Sequence, residues 1–286
     1  MYKFVQQHQD QHPVSVMCQC LRISRSAYYA WNRGKSYQPK ADFIQVEKQL
    51  ETAFFTHRRR YGARRLRAEL QDEGLAVSHY KVRKVMKKYG FKAIQPRSFI
   101  PRTTQSRHPY PISPNLLQDR PFPLKVNEVW VGDITYIPLS GSRWAYLAVW
   151  MDLCSRKIVG WSLADHMREE LVIAALKQAF NQRGSIAGLI IHSDRGGQYA
   201  GNDFRKLLTK HKMVQSMSRA DNPYDNAFME SYFSRFKAEL LEGGVFDSLT
   251  DAHTEFFEYI EMYYNPRRRH SSLGYLSPNN FEAQSP

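Results

Sequence analysis

The sequence predicts an α/β protein, a mixed sheet flanked by helices and preceded by an all-helical, basic region. The excess of positive charge lies wholly in the first part of the chain, a proline-rich stretch separates the two parts, and strand-like runs begin only beyond it. Residues 1–127 hold 24 Lys and Arg against 8 Asp and Glu, a net of +16, while residues 128–286 hold 17 against 19, a net of −2. Together they make the formal net charge of +14. Charge segregated in this way points to a polyanion-binding part joined to a near-neutral part with a different task. The blander reading is that excess Lys and Arg only solvate helices.

A chain of 286 residues accommodates one large or two to three small domains. Its 42% hydrophobic and 13% aromatic content can build a core, which excludes global disorder. No run of about 18 apolar residues and no charged-then-apolar leader is visible, so a soluble cytoplasmic protein is expected. Cys18, Cys20 and Cys154 are too few for a disulfide framework.

In chain order, Pro13 to Arg33 reads as helix, break, helix. Val14, Met17, Cys18 and Leu21 form an apolar stripe, Ser24 can cap the next segment, and Ala27, Tyr28 and Trp31 face inward. A zinc site from His8, His12, Cys18 and Cys20 is the competing reading, but one residue between the cysteines suits tetrahedral chelation poorly. Asp42 to His57 follows as an amphipathic helix with Ile44, Leu50, Ala53 and Phe54 inward. The run Arg58-Arg59-Arg60 then leads into a helix from Gly62 carrying Arg64 and Arg65. After a break at Glu73-Gly74, Ser78 caps a helix that Gly90 ends. Its packing stripe is Val82, Val85, Met86 and Tyr89, and it carries Lys81, Arg83, Lys84, Lys87 and Lys88. A helix, a turn and a basic second helix suit a duplex groove or a row of phosphates. From Phe54 to Arg102 there are 14 Lys and Arg beside 3 acidic residues.

Seven of the 14 prolines fall between Pro96 and Pro123 with no apolar periodicity, which marks an extended linker. Strand-like runs at 128–137, 144–153 and 157–163, separated by Gly141-Ser142 and Cys154-Ser-Arg156, read as an antiparallel meander. A helix at 169–182, a strand at 189–192, a helix at 203–211, a strand at 213–217 and a helix at 225–241 complete a mixed sheet with flanking helices. Three carboxylates stand out. Asp133 lies in the middle of the first strand, and Asp194 at the carboxyl end of the fourth, where open α/β sheets form crevices. Glu230 lies on a polar helix stripe with Asn226, Ser234 and Lys237, opposite the apolar stripe of Tyr232, Phe233, Phe236 and Leu240. An acid inside an apolar strand costs several kcal/mol unless it is paired or bound to a cation. Convergence of all three on divalent metal is therefore expected; the competing reading for Glu230 is an ordinary exposed helix Glu.

These residues carry a family resemblance. Trp130-Val-Gly-Asp133-Ile-Thr-Tyr136, His192-Ser-Asp194-Arg-Gly196, Tyr224-Asp-Asn-Ala-Phe-Met-Glu230-Ser231 and Tyr264-Asn-Pro-Arg-Arg-Arg-His270-Ser-Ser-Leu-Gly-Tyr275 occur in order, with 35 residues between Asp194 and Glu230. The chain resembles the transposases of the IS3 family of insertion sequences, in their OrfB part, which have a retroviral-integrase-type core of the ribonuclease H-like fold. The resemblance implies that Asp133, Asp194 and Glu230 are the catalytic metal ligands. Oxygen-only ligands suit Mg²⁺, with Mn²⁺ able to substitute, and two ions can activate an attacking hydroxyl and stabilise a leaving 3′-oxygen.

The implied function is cleavage at element ends followed by 3′-OH strand transfer into DNA, through a circular intermediate, in a bacterial cytoplasm at the nucleoid. The implied partners are double-stranded DNA, further copies of the chain, and an OrfA product, separate or fused. His192, Arg195, Asn226 and Lys237 are candidates to orient ligands or phosphate, and Arg267 to His270 either touch DNA or form a surface turn. Ala220-Asp221 departs from the family's usual basic residue and glycine, and no sustained Leu heptad is present. The expected division is a helix-turn-helix-like segment at 1–40, a basic helix-turn-helix domain at 41–92, a linker at 93–127, the catalytic core at 128–245, and a C-terminal helix with a basic tail at 246–286. A regulatory DNA-binding protein without catalysis and a simple nuclease of the same fold are the alternative functions.

Overall fold

Helices α1 (Tyr2–His8), α2 (Val14–Cys20) and α3 (Arg25–Asn32) close on Val5, Met17, Cys18 and Tyr28. Ser24 caps α3 by accepting from Ala27 N. Cys18 is buried in this core and Cys20 is exposed. Next come α4 (Ala41–Thr56), α5 (Ala63–Asp72) and α6 (His79–Tyr89). Leu50, Phe54, Leu66, Leu70, Val82 and Val85 are buried, and Phe54 stacks on Phe91 at 4.7 Å. Ile44 departs from expectation: it is exposed, and Val46 takes the inward place. Ser78 accepts from Lys81 N, and Gly90 ends α6 with φ +68°, a conformation open to glycine at no steric cost.

The computed structural model describes residues 1–34, 41–96, 109–118, 120–219, 227–242 and 244–284. They fall into two units, Met1–Arg58 with Leu66–Phe91, and Arg59–Arg65 with Lys92–Pro286. The short crossing from α4 to α5 thus belongs with the second unit.

In that unit β1 (Val129–Leu139), β2 (Arg143–Asp152) and β3 (Ile158–Ala164) form the antiparallel meander. Helix α7 (Glu169–Arg183) leads to β4 (Ile190–Ser193), which pairs parallel with β1. The short α8 (Gly197–Ala200) and α9 (Asn202–Lys210) lead to β5 (Val214–Met217), parallel to β4. The sheet order is β3-β2-β1-β4-β5. Helices α10 (Ala227–Leu241) and α11 (Leu249–Phe257) follow, then a π-helical stretch over Glu258–Tyr264 and α12 (Pro278–Gln284). None of the described helices is long and apolar enough to cross a membrane.

Side-chain alternation assigns the two faces of the sheet. Val129, Val131, Ile137 and Leu139 of β1 share one core with Met229, Tyr232, Phe233 and Phe236 of α10 and with Phe256. Trp130 joins Trp150, Leu176, Ile191 and Phe204 on the other face, under α7 and α9. A methyl group on Gly132 would stand 2.3 Å from the Trp150 ring, so this indole occupies the space a side chain would take. On β3 a methyl at Gly160 would meet Ala175 O at 2.2 Å, which shows how closely α7 lies on the sheet.

Two segments expected to be peripheral are built in. Residues of the proline-rich stretch line the open edge of β5: Ser113 Oγ donates to Gln215 Oε1, Leu116 N to Ser216 Oγ, and Met217 N to Pro114 O. The C-terminal motif is folded inward. Asn265 exchanges side-chain hydrogen bonds with both backbone groups of Ile158 on β3 at 3.0 and 2.9 Å. Arg268, 3% exposed, is paired with Glu239 of α10, which corrects the expectation that this part of the run is a surface turn or DNA contact. His270 stands edge-on to Tyr264 and receives a 3.4 Å contact from Arg268 Nη1 at Nε2, which requires neutral imidazole.

Two outcomes follow for stability. Gly132→Ala forces the Trp150 ring to move and is expected to cost about 1–3 kcal/mol, read by chemical denaturation. Burial, then Arg268, Arg65 and Arg156, hold His270 well below its ordinary 6.5. The unfolded chain takes that proton first as pH falls, so the contribution of His270 is whole above 6.5 and is lost as pH drops towards the lower folded value. Thermal melting is expected to decline below that pH, and less steeply in His270→Gln.

Candidate active site

Strand parity places the acids. Asp133 follows Val129 and Val131 on the face of β1 turned to α10, and Asp194 follows Ile190 and His192 on the same face of β4. Val131 pairs with His192 in parallel register. The ladder ends at this pair, and Asp133 and Asp194 each lie two residues beyond it, Asp194 just past the end of β4. Ile134 N donates to Asp133 Oδ1 at 2.8 Å, and Gly196 N to Asp194 Oδ1 at 2.9 Å, so each carboxylate is oriented by backbone next to it.

The electrostatics agree with this placement. Asp133's carboxyl is pushed well above its usual range, first by burial and next by Asp194; Glu230 adds to the rise, while the Ile134 N–H and Lys237 oppose it. Lys237, half-buried, has its amine lowered by burial, and Asp133 works against that. Glu230 lies in the first turn of α10 and is exposed; its polar stripe continues to Lys237 two turns on. Among the described residues no group of three His, Cys, Asp or Glu side chains is assembled closely enough to hold a metal ion. The set consists of two adjacent acids on the sheet with a third acid and a lysine on the helix across from them.

The other candidate residues divide. His192 is fully buried and its Nδ1 is 2.9 Å from Ser216 Oγ, so it fastens β4 to β5 and its ring is closed off from the surface. Arg195 donates through Nε to Ser218 O at 2.7 Å, bracing the exit of β5. Asn226 and the Ala220-Asp221 departure lie outside the described residues. Arg60 is buried, its guanidinium 5.0 Å from the Tyr259 ring centre and 4.6 Å from that of Tyr263, so it is a packing residue where a DNA contact was expected. Arg65 is half-buried over Tyr61, and Arg59 pairs with Glu242 at 3.7 Å. Arg58, Arg64, Lys81, Arg83, Lys84 and Lys87 are exposed. Lys88 is exposed too but held by Glu47 at 2.7 Å.

Two features near the site have no signal in the sequence pattern. Tyr199 is 2% exposed beneath Trp150 and Phe204, and burial, then Asp133 and Asp194, raise its hydroxyl well above the usual range. It stands five positions after Asp194 (194 to 199), yet its pattern is that of any core aromatic. Arg156 lies over Phe228, 4.2 Å from the ring centre, and over Phe122 at 5.1 Å, and Phe228 is two positions before Glu230. Only proximity in space reveals that cluster, because its members are more than twenty residues apart in sequence.

Comparison with known proteins places the chain. Residues 123–223 and 211–278 match family models described as integrase core domain, and residues 44–99 match one described as HTH-like domain. The transposase InsF for insertion sequence IS3A of Escherichia coli (strain K12) is 38% identical over 283 residues, covering 98% of either chain. An IS600 insertion-element protein of 31 kDa from Shigella sonnei is 38% identical over 265 residues, 93% of this chain and 97% of that one. Among solved structures, the HTLV-2 integrase catalytic core domain in complex with magnesium gives a TM-score of 0.42 at 18% identity, covering 55% of this chain and 96% of that one; a likeness so slight adds nothing to the assignment. Because the InsF relative is alike from end to end, through the helical region as well as the sheet that carries the acids, the chain belongs to the IS3 family of insertion-sequence transposases.

Proposed function

We propose that the protein is a DNA transposase that cleaves at the ends of its insertion sequence and joins the exposed 3′-OH to a new phosphodiester, with Asp133, Asp194 and Glu230 as the catalytic set. The observation that carries this reading is the pair of adjacent sheet acids, with Asp133 pushed above its usual range by burial and by Asp194. Like charges kept together in a half-buried site are costly unless a cation joins them. The donor set is oxygen-only, which fits Mg²⁺ or Mn²⁺, and the proposed number is two ions. Bound there, divalent cations supply Lewis-acid activation of the attacking oxygen and charge neutralisation at the leaving one.

The chain's own residues supply orientation. The Ile134 and Gly196 N–H groups hold the two aspartates in place before DNA arrives, which lowers the reorganisation needed at the reacting phosphate. Lys237, whose charge opposes the rise of Asp133, is the proposed group to steady a phosphate oxygen as charge develops. Lys81, Arg83, Lys84 and Lys87 on the exposed side of α6, with Arg58 and Arg64, are the proposed duplex contacts. Joining two ends calls for more than one active site, so the proposed working form is a homo-oligomer on DNA. An OrfA product, separate or fused, is the proposed protein partner, and the nucleoid the proposed place of work.

The test uses the purified full chain, labelled element-end duplex and a target duplex with Mg²⁺ or Mn²⁺. Asp133→Asn, Asp194→Asn and Glu230→Gln are each expected to lower strand transfer at least about 100-fold, the scale of removing one group that stabilises transition-state charge, while end binding persists. Chelation of the metal has the same effect. Binding with no products in the parent protein would favour a regulator, and cleavage without joining a simple nuclease. Separately, Lys84→Ala with Lys87→Ala is expected to weaken duplex binding and to flatten the log Kd against log salt slope by roughly 0.9 for each phosphate no longer neutralised. An unchanged slope would remove α6 from the interface.

A further inference from the structure

The buried arginine in the C-terminal motif is tied to the helix that carries Glu230. Arg268 donates from Nη2 to Glu239 Oε1 at 2.6 Å and from Nε to Oε2 at 3.0 Å, and Tyr259 OH adds a bond to Oε2 at 2.7 Å. Burial alone would raise Glu239, but Arg268 and Tyr259 hold its carboxyl below the usual range, so the pair is ionised. Glu239 stands nine positions after Glu230 on α10 (230 to 239).

The motif is held from two further sides. Asn265 fastens it to the edge strand β3 through Ile158. Tyr61, fully buried, brackets Arg268: its hydroxyl donates to Arg267 O at 3.2 Å and accepts from Arg269 N at 2.8 Å. Directional bonds therefore fasten the motif to the sheet at Asn265 and to α10 at Arg268, three positions further along the chain.

α10 also packs on the sheet through the apolar Met229, Tyr232, Phe233 and Phe236. Apolar side chains are non-directional and accept small slides along a helix axis. A two-pronged guanidinium–carboxylate pair does not, because its planar fork has one matching geometry. We infer that Arg268, held by Tyr61, is a positioning residue that sets the axial placement of α10 and thereby brings Glu230 to the two sheet aspartates. Arg268 touches no reacting atom; it acts through Glu239. The inference rests on Glu230 belonging to the catalytic set.

The test compares Tyr61→Phe, Arg268→Lys and the neutral pair Glu239→Gln with Arg268→Met, alongside Glu230→Gln. Tyr61→Phe keeps the buried ring and removes only the hydroxyl, and the neutral pair removes both charges together, so each guards against simple unfolding. Three quantities are measured: strand-transfer rate at saturating end DNA, end-DNA Kd, and hydrogen exchange of residues 227–241 at matched folded fraction. Transfer is expected to fall at least tenfold in Arg268→Lys and the neutral pair, and severalfold in Tyr61→Phe. End-DNA Kd should stay within twofold while the first turns of α10 exchange faster. Transfer within twofold of the parent in all three, or losses that track the folded fraction with α10 exchange unchanged, would overturn the inference. If Glu230→Gln is inactive while these variants transfer normally, only this inference falls; if Glu230→Gln is itself active, the catalytic set was misread.

Discussion

Parallel pairing of β1 with β4 is the constraint from which the site follows. The register Val131 to His192 leaves no choice about which side chains emerge together further along, and the two that emerge are carboxylates. A shift of one residue would turn Asp194 to the opposite face, towards α7 and α9, and break the pairing of acids. Each of the two strands is also held to its other neighbour. The Trp150 ring fills the space above Gly132, and the short bond between His192 and Ser216 holds β4 to its other neighbour. Packing that looks remote from chemistry therefore decides where charge is placed.

The elements of the second unit were largely legible because each has a strong local period: alternation in the strands, stripes three and four apart in α7, α9 and α10. The expected meander and the parallel strands are both found. Asp133 and Asp194 could be singled out because an acid in an apolar strand is costly, a local signal. Glu230 could not, since its exposure is what any helix Glu shows; only its motif and the 35-residue interval distinguished it.

What was not legible depends on partners far apart in the chain. Arg60, Arg65 and Arg268 read as surface cations because composition cannot see a tyrosine or a glutamate that the fold brings to them. The bond from Tyr61 to Arg267 spans 206 residues. His192 is a similar case: two positions from Asp194 it looks chemical, yet its ring is closed in beside Ser216 of β5. A basic run is thus a composite, with exposed Arg58 and Arg64 next to inward Arg60, and its total charge overstates what is exposed.

The proline-rich stretch has a consequence for how the molecule can be divided. Residues 113–117 lie along β5, whose outer backbone groups would otherwise form the open margin of the sheet. Proline is well suited there, since it offers no donor with which another chain could extend the sheet. The stretch that follows the helical region is therefore also the selvage of the sheet that carries the acids. A catalytic fragment trimmed at the first strand would keep every acid and lose its hem, leaving strands that invite neighbours.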